Sequence, residues 1–108
     1  MMNQRLKSEE MDRLFTCILQ LQSIDECYAF FDDLCTIHEL QAMTQRLEVA
    51  VMLREGRTYT EIGEATGAST ATISRVNRAL NYGSDGYSMV LNRVDEPGKG
   101  AGDGINQK

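Results

Sequence analysis

Residues 59–78 read YTEIGEATGASTATISRVNR, and this stretch decides the fold. Gly63 and Gly67 stand four apart, and Ile73 and Val76 follow at the spacing of a second helix. The pattern is two short helices joined by a tight turn, a helix-turn-helix over about 58–81. Gly67 falls at the turn, where the backbone must enter the left-handed region and glycine does so at little cost. Gly63 falls in the first helix, where the second is expected to approach too closely for a side chain. Ile62, Ala68, Ile73 and Val76 are the residues expected to pack the pair together, and Ser69 is placed to cap the second helix.

With Ile73 and Val76 inward, helical spacing turns Ser69, Thr70, Ala71, Ser74, Arg75 and Arg78 outward. Short side chains let a backbone approach base edges, and Thr or Ala methyl groups suit a thymine methyl. Arginine can pair with guanine or hold a phosphate. The start of the first helix, Thr58 to Thr60, offers backbone N–H groups suited to a phosphate. The candidate DNA-binding residues are therefore Thr58, Thr60, Ser69, Thr70, Ala71, Ser74, Arg75 and Arg78. A helix-turn-helix can also be a plain structural corner. The lack of any acid within 67–82 and the small outward residues are unneeded for a corner, and favour double-stranded DNA as the partner.

Upstream of this stretch the periodicity is helical throughout. Met11, Leu14, Phe15, Ile18 and Leu19 share one helix face; Ile24, Cys27, Tyr28, Phe31, Leu34 and Cys35 share another; Leu40, Met43, Leu47, Ala50 and Val51 a third. Ser23 to Glu26, Thr36 to Glu39 and Thr58 to Glu61 each read as a capping box. Gly56 and Gly83 stand where helix ends call for a left-handed residue. The spacing predicts helices at 9–22, 24–35, 37–55, 59–66, 70–81 and 85–94, and no strand. The fold class is all-α, a helical bundle, with residues 1–94 as one DNA-binding and dimerisation domain. Val49 to Leu53 is apolar on every side, so that helix is expected to be buried all round, with a partner subunit as one way to cover it. The Gly-rich residues 95–108 are expected to be a disordered tail.

Composition narrows the function. The 108 residues carry a net charge of −5, which taken whole argues against a nucleic-acid binder. The charge is unevenly spread: residues 1–56 hold 5 Lys and Arg against 10 Asp and Glu, whereas 57–82 hold 3 against 2. No apolar run is long enough to cross a bilayer and no secretory leader precedes the first helix, so no membrane partner and a cytoplasmic location are expected. Cys17, Cys27 and Cys35 match no zinc spacing and read as small buried hydrophobes. His38 reads as a solvated residue of a first helical turn. No paired carboxylates, Ser-His or His-Cys arrangement or phosphate-cradling glycine loop can be assembled, so an enzyme is not expected. No metal is expected either.

The run GASTATISRVNRAL (67–80), with REGRTYTEIGEATG before it and HELQAMTQRLEVAVMLREG further upstream, resembles the Trp repressor-like family, in its YerC/YecD-type branch. The resemblance spans about Met11 to Tyr87. It implies an intertwined homodimer that binds operator DNA as a transcriptional repressor. It also implies a possible effector pocket at Gln45, Arg46, Thr72 and Arg75. Arg75 matches the arginine that stacks on a tryptophan corepressor, and Thr72 the nearby threonine. Three positions depart: Val76 replaces a small glycine, Ala79 a serine, and Gln45 an arginine, with Arg46 displaced by one. Tryptophan is therefore not expected to bind, no cofactor is expected, and the effector is unknown or absent. The alternative reading is a non-regulatory DNA-binding or protein-interaction helical module.

Overall fold

The computed structural model describes residues 4–95. Every regular element among them is helical: a 3-10 turn at Gln4–Leu6, then α1 (Glu9–Ile18), α2 (Ile24–Leu34), α3 (Ile37–Arg54), α4 (Tyr59–Thr66), α5 (Thr70–Tyr82) and α6 (Gly86–Asp95). The expected tail, 95–108, lies outside the described residues except for Asp95, which still belongs to α6. Among the described residues no helix is long and apolar enough to cross a membrane. The chain forms two compact units, divided within α3 between Met43 and Thr44.

In the first unit, local chemistry sets the helix ends. Ser8 caps α1 by accepting from the Met11 N–H at 3.0 Å, and Glu9, Glu10 and Asp12 complement the positive end of the helix dipole. α1 stops at Ile18, four residues short of the expected end. The Gln20 and Leu21 N–H groups turn to the carbonyls three residues back, Cys17 and Ile18, and tighten the chain out of the α-helix. The next cap then takes over: Ser23 accepts from the Glu26 N–H at 3.1 Å, while the Glu26 carboxylate reaches past it to the Gln22 N–H at 2.8 Å. At the start of α3 the reciprocal pair is complete, Thr36 N–H to Glu39 at 2.8 Å and Glu39 N–H to Thr36 Oγ1 at 3.1 Å.

Neither α1 nor α2 contains a buried residue. Their apolar faces are as periodic as expected, yet Leu19 is 80% and Tyr28 75% exposed in the single chain. The cysteines follow suit. Cys17 is exposed and Cys27 and Cys35 are only half-buried, against the expectation of burial.

The core lies in the second unit: Val49 and Ala50 of α3, Ile62 of α4, Ala68 at the turn, and Ile73 and Val76 of α5. Met52, Leu53, Leu80, Tyr87 and Leu91 pack around it. Burying the four large residues, Val49, Ile62, Ile73 and Val76, contributes about 1.5–3 kcal/mol each. Val49 and Ala50 are inaccessible, but Val51, Met52 and Leu53 are half-buried, so α3 is covered on part of its circumference. Gly56 ends α3 in the left-handed region at φ 84°, with the Arg57 N–H bonded to the Met52 carbonyl at 3.1 Å. Gly83 ends α5 without it, at φ −90° and ψ −147°. Glycine is needed there for another reason, since a Cβ would collide with the Ala79 carbonyl. Asp85, not a glycine, takes the left-handed conformation before α6, at φ 65°. The Arg54 guanidinium bonds the Asn92 side chain and so ties the end of α3 to α6.

Candidate nucleic-acid interface

α4 begins at a full capping box. Thr58 Oγ1 accepts from the Glu61 N–H at 3.1 Å, and the Thr58 N–H donates to Glu61 Oε1 at 3.0 Å. This corrects one sequence expectation: the Thr58 N–H is not open to a phosphate, and the Glu61 carboxylate stands at that end of the helix. The Tyr59 and Thr60 N–H groups keep the first-turn position, where no carbonyl of the same helix precedes them. The Thr58 and Thr60 side chains are exposed.

The turn after α4 is built from short bonds. The Gly67 N–H donates to the Gly63 carbonyl at 2.8 Å, and Gly67 adopts φ 75° and ψ 5°, as expected. Thr66 Oγ1 donates to the Ile62 carbonyl at 2.7 Å and accepts from the Ala68 N–H at 3.1 Å. Gly63 differs from expectation. A Cβ there would sit 3.5 Å from the Ala68 carbonyl, an ordinary contact rather than a clash. Its smallness is compatible with the approach of the chain but not demanded by it.

Ser69 then caps α5, accepting from the Thr72 N–H at 3.1 Å and donating to Thr72 Oγ1 at 3.2 Å. Ile73 and Val76 are 1% and 2% exposed and point into the core. That fixes the opposite face: Ser69, Thr70, Ala71, Ser74, Arg75 and Arg78 are all exposed. Neither arginine is in an ion pair with another described residue, and α5 contains no acid. The outward surface of α5 is thus short, polar and positively charged.

The residues considered for an effector pocket have other occupations. Gln45 is half-buried and donates its side-chain N–H to the Thr66 carbonyl at 3.1 Å. Thr72 is half-buried and bonded to the Ser69 cap, while Arg46 and Arg75 are exposed. Val76 is a core side chain, at a position where the resemblance calls for glycine. Sequence reasoning missed Thr66. Its link to Gln45 spans 21 residues and two helices, and no local pattern announces it. Among the described residues no three His, Cys, Asp or Glu side chains are grouped to hold a metal ion.

Comparison with known proteins agrees with this geometry. Residues 9–95 match the family model described as Trp repressor protein. A Bacillus subtilis (strain 168) relative, the uncharacterized protein YerC, is 63% identical over 92 residues, which is 85% of this chain and 88% of that one. The crystal structure of a TrpR-like protein from Eubacterium eligens ATCC 27750 superposes with a TM-score of 0.82 at 59% identity, covering 85% of this chain and 95% of that chain. A candidate Trp repressor from Staphylococcus aureus gives 0.81 at 52% identity, covering 86% and 93%.

Proposed function

The chain belongs to the Trp repressor family, a family of regulatory DNA-binding proteins, and from that premise we propose that it is a transcriptional repressor that binds duplex DNA as a homodimer. Each subunit lays α5 in the major groove. Two such helices related by a twofold axis reach successive grooves about 34 Å apart, so the target is a roughly palindromic site. Arg75, Arg78 and Thr60 hold phosphates or guanine; Ser69, Thr70, Ala71 and Ser74 lie against base edges. Repression follows from occupying promoter DNA. The location is cytoplasmic, where such DNA is reached.

One observation carries the reading: the face of α5 opposite buried Ile73 and Val76 consists of small groups and two arginines with no acidic partner among the described residues. The homodimer has its own support. Among the described residues α1 and α2 bury none of their own side chains fully, and a second copy would cover their apolar faces. Tryptophan has no place in this reading, because Val76 and Ala79 stand where the slot would need a glycine and a serine.

The test is binding of a labelled random duplex at several salt concentrations, followed by selection from a random pool. DNA binding predicts that log affinity falls linearly with log salt, by about 0.9 for each phosphate neutralised. Absence of binding at low salt would overturn the proposal and favour a protein-interaction module.

A further inference from the structure

We propose that Gln45 and Thr66 form a latch that fixes the angle of the reading helix, which makes Gln45 a positioning residue for base recognition rather than a ligand contact. The inference rests on the DNA-binding reading above. Gln45 lies on α3 one helical turn before Val49, which is fully buried, so both look toward the core. From there its amide N–H reaches the Thr66 carbonyl at 3.1 Å. Thr66 is the last residue of α4, and carbonyls in a final turn lack partners within their own helix. The amide also lies against the turn itself, with Nε2 4.0 Å from where a Gly67 Cβ would be.

Around this bond the Thr66 hydroxyl and the Gly67 and Ala68 N–H groups are satisfied locally. The Thr66 hydroxyl bridges the Ile62 carbonyl and the Ala68 N–H, and the Gly67 N–H takes the Gly63 carbonyl. These bonds shape the turn but do not hold it to α3. Gln45 does. α5 begins four residues after Thr66, at Thr70. Ser74, laid against base edges, is five residues beyond the Ser69 cap, about 7.5 Å along the helix, so a 10° tilt at the turn moves it by about 1.3 Å. Hydrogen bonds to base edges tolerate only a few tenths of an ångström. Phosphate contacts from a long arginine absorb such a shift. Loss of the latch should therefore fall on sequence choice and spare sequence-independent binding.

The experiment uses the full chain and two duplexes, one selected by the wild-type protein from a random pool and one of random sequence. Gln45→Met keeps side-chain length without the donor; Gln45→Glu keeps shape and sets a carboxylate against a carbonyl; Gln45→Lys keeps a donor. Gln45→Met and Gln45→Glu are expected to lose about tenfold in the ratio of selected to random affinity, the size of one net hydrogen bond, with random-duplex affinity unchanged. Gln45→Lys is expected to restore most of the ratio, and all readings are taken well below the thermal midpoint. An unchanged ratio in Gln45→Met overturns the latch. So does an equal loss on both duplexes, or failure of Gln45→Met and Gln45→Glu to fold, since either marks a merely structural residue. A wild-type protein that enriches no sequence would instead overturn the site-specific repressor reading on which the latch depends.

Discussion

Two alanine substitutions in one turn should move stability in opposite directions. Gly67 sits at φ 75°, and a Cβ added there meets nothing closer than 4.0 Å. The cost of Gly67→Ala is therefore conformational, about 1–2 kcal/mol for a single L-residue held in the left-handed region. Gly63 is interior to α4 with no such backbone demand, and its added methyl would lie 3.5 Å from the Ala68 carbonyl. Gly63→Ala gains the difference in helix propensity, up to about 1 kcal/mol. Urea unfolding followed by circular dichroism, at one fixed protein concentration, measures both. Gly67→Ala should shift the midpoint down and Gly63→Ala should shift it up, with similar slopes. In thermal unfolding each kcal/mol corresponds to about 4–8 °C for a domain of this size. A destabilised Gly63→Ala would mean that the Ala68 backbone cannot accommodate the methyl. A neutral Gly67→Ala would refute the left-handed turn, and with it the geometry that presents α5.

Arg75→Ala should weaken duplex binding by about 1–3 kcal/mol while leaving helix content unchanged, and equal affinity would remove Arg75 from the interface. Calorimetric titration with L-tryptophan should show no heat beyond dilution; a clear isotherm would mean that Val76 and Ala79 leave room for the ligand. Gly83→Ala should destabilise by about 1–3 kcal/mol in the same urea assay, because its Cβ collides with the Ala79 carbonyl. Tenfold dilution should lower the thermal midpoint if two copies unfold together, and a midpoint independent of concentration would argue for a folded monomer.

The sequence announces features that depend on neighbours three or four residues apart. Ser23, Thr36, Thr58 and Ser69 all cap helices through an N–H three residues on. Gly67 also shows itself, since its place between two periodic segments demands a left-handed residue. Features set by competition or by distance are harder to read. Leu21 continues the apolar spacing of α1, yet α1 ends at Ile18, because the Gln22 N–H serves the cap of α2. Gly83 looks like a left-handed cap but is required by a clash with Ala79. Thr58 looks like an open phosphate site until Glu61 is seen bonded to its N–H. The Gln45–Thr66 bond joins two helices whose sequences give no sign of each other.

The net charge of −5 looks like an objection to DNA binding, and the position of the charges answers it. At physiological ionic strength exposed charges more than about 8 Å apart are largely screened, so a phosphate responds to the groups beside it and hardly to the total. α5 carries Arg75 and Arg78 and no acid over its 13 residues. On α4, the Glu61 carboxylate is held by the Thr58 N–H, and Glu64 is exposed. The front half of the chain has twice as many acids as bases, a composition unattractive to a polyanion. Non-specific affinity comes almost wholly from phosphate contacts, and a regulator competes against a vast excess of non-specific sites. Under the proposed function, an excess of acids elsewhere in the sequence lowers that background. Under that function, with only Arg75 and Arg78 as cations on α5, discrimination rests on how rigidly α5 is held, which is the reason a single amide on α3 can matter to the choice of sequence.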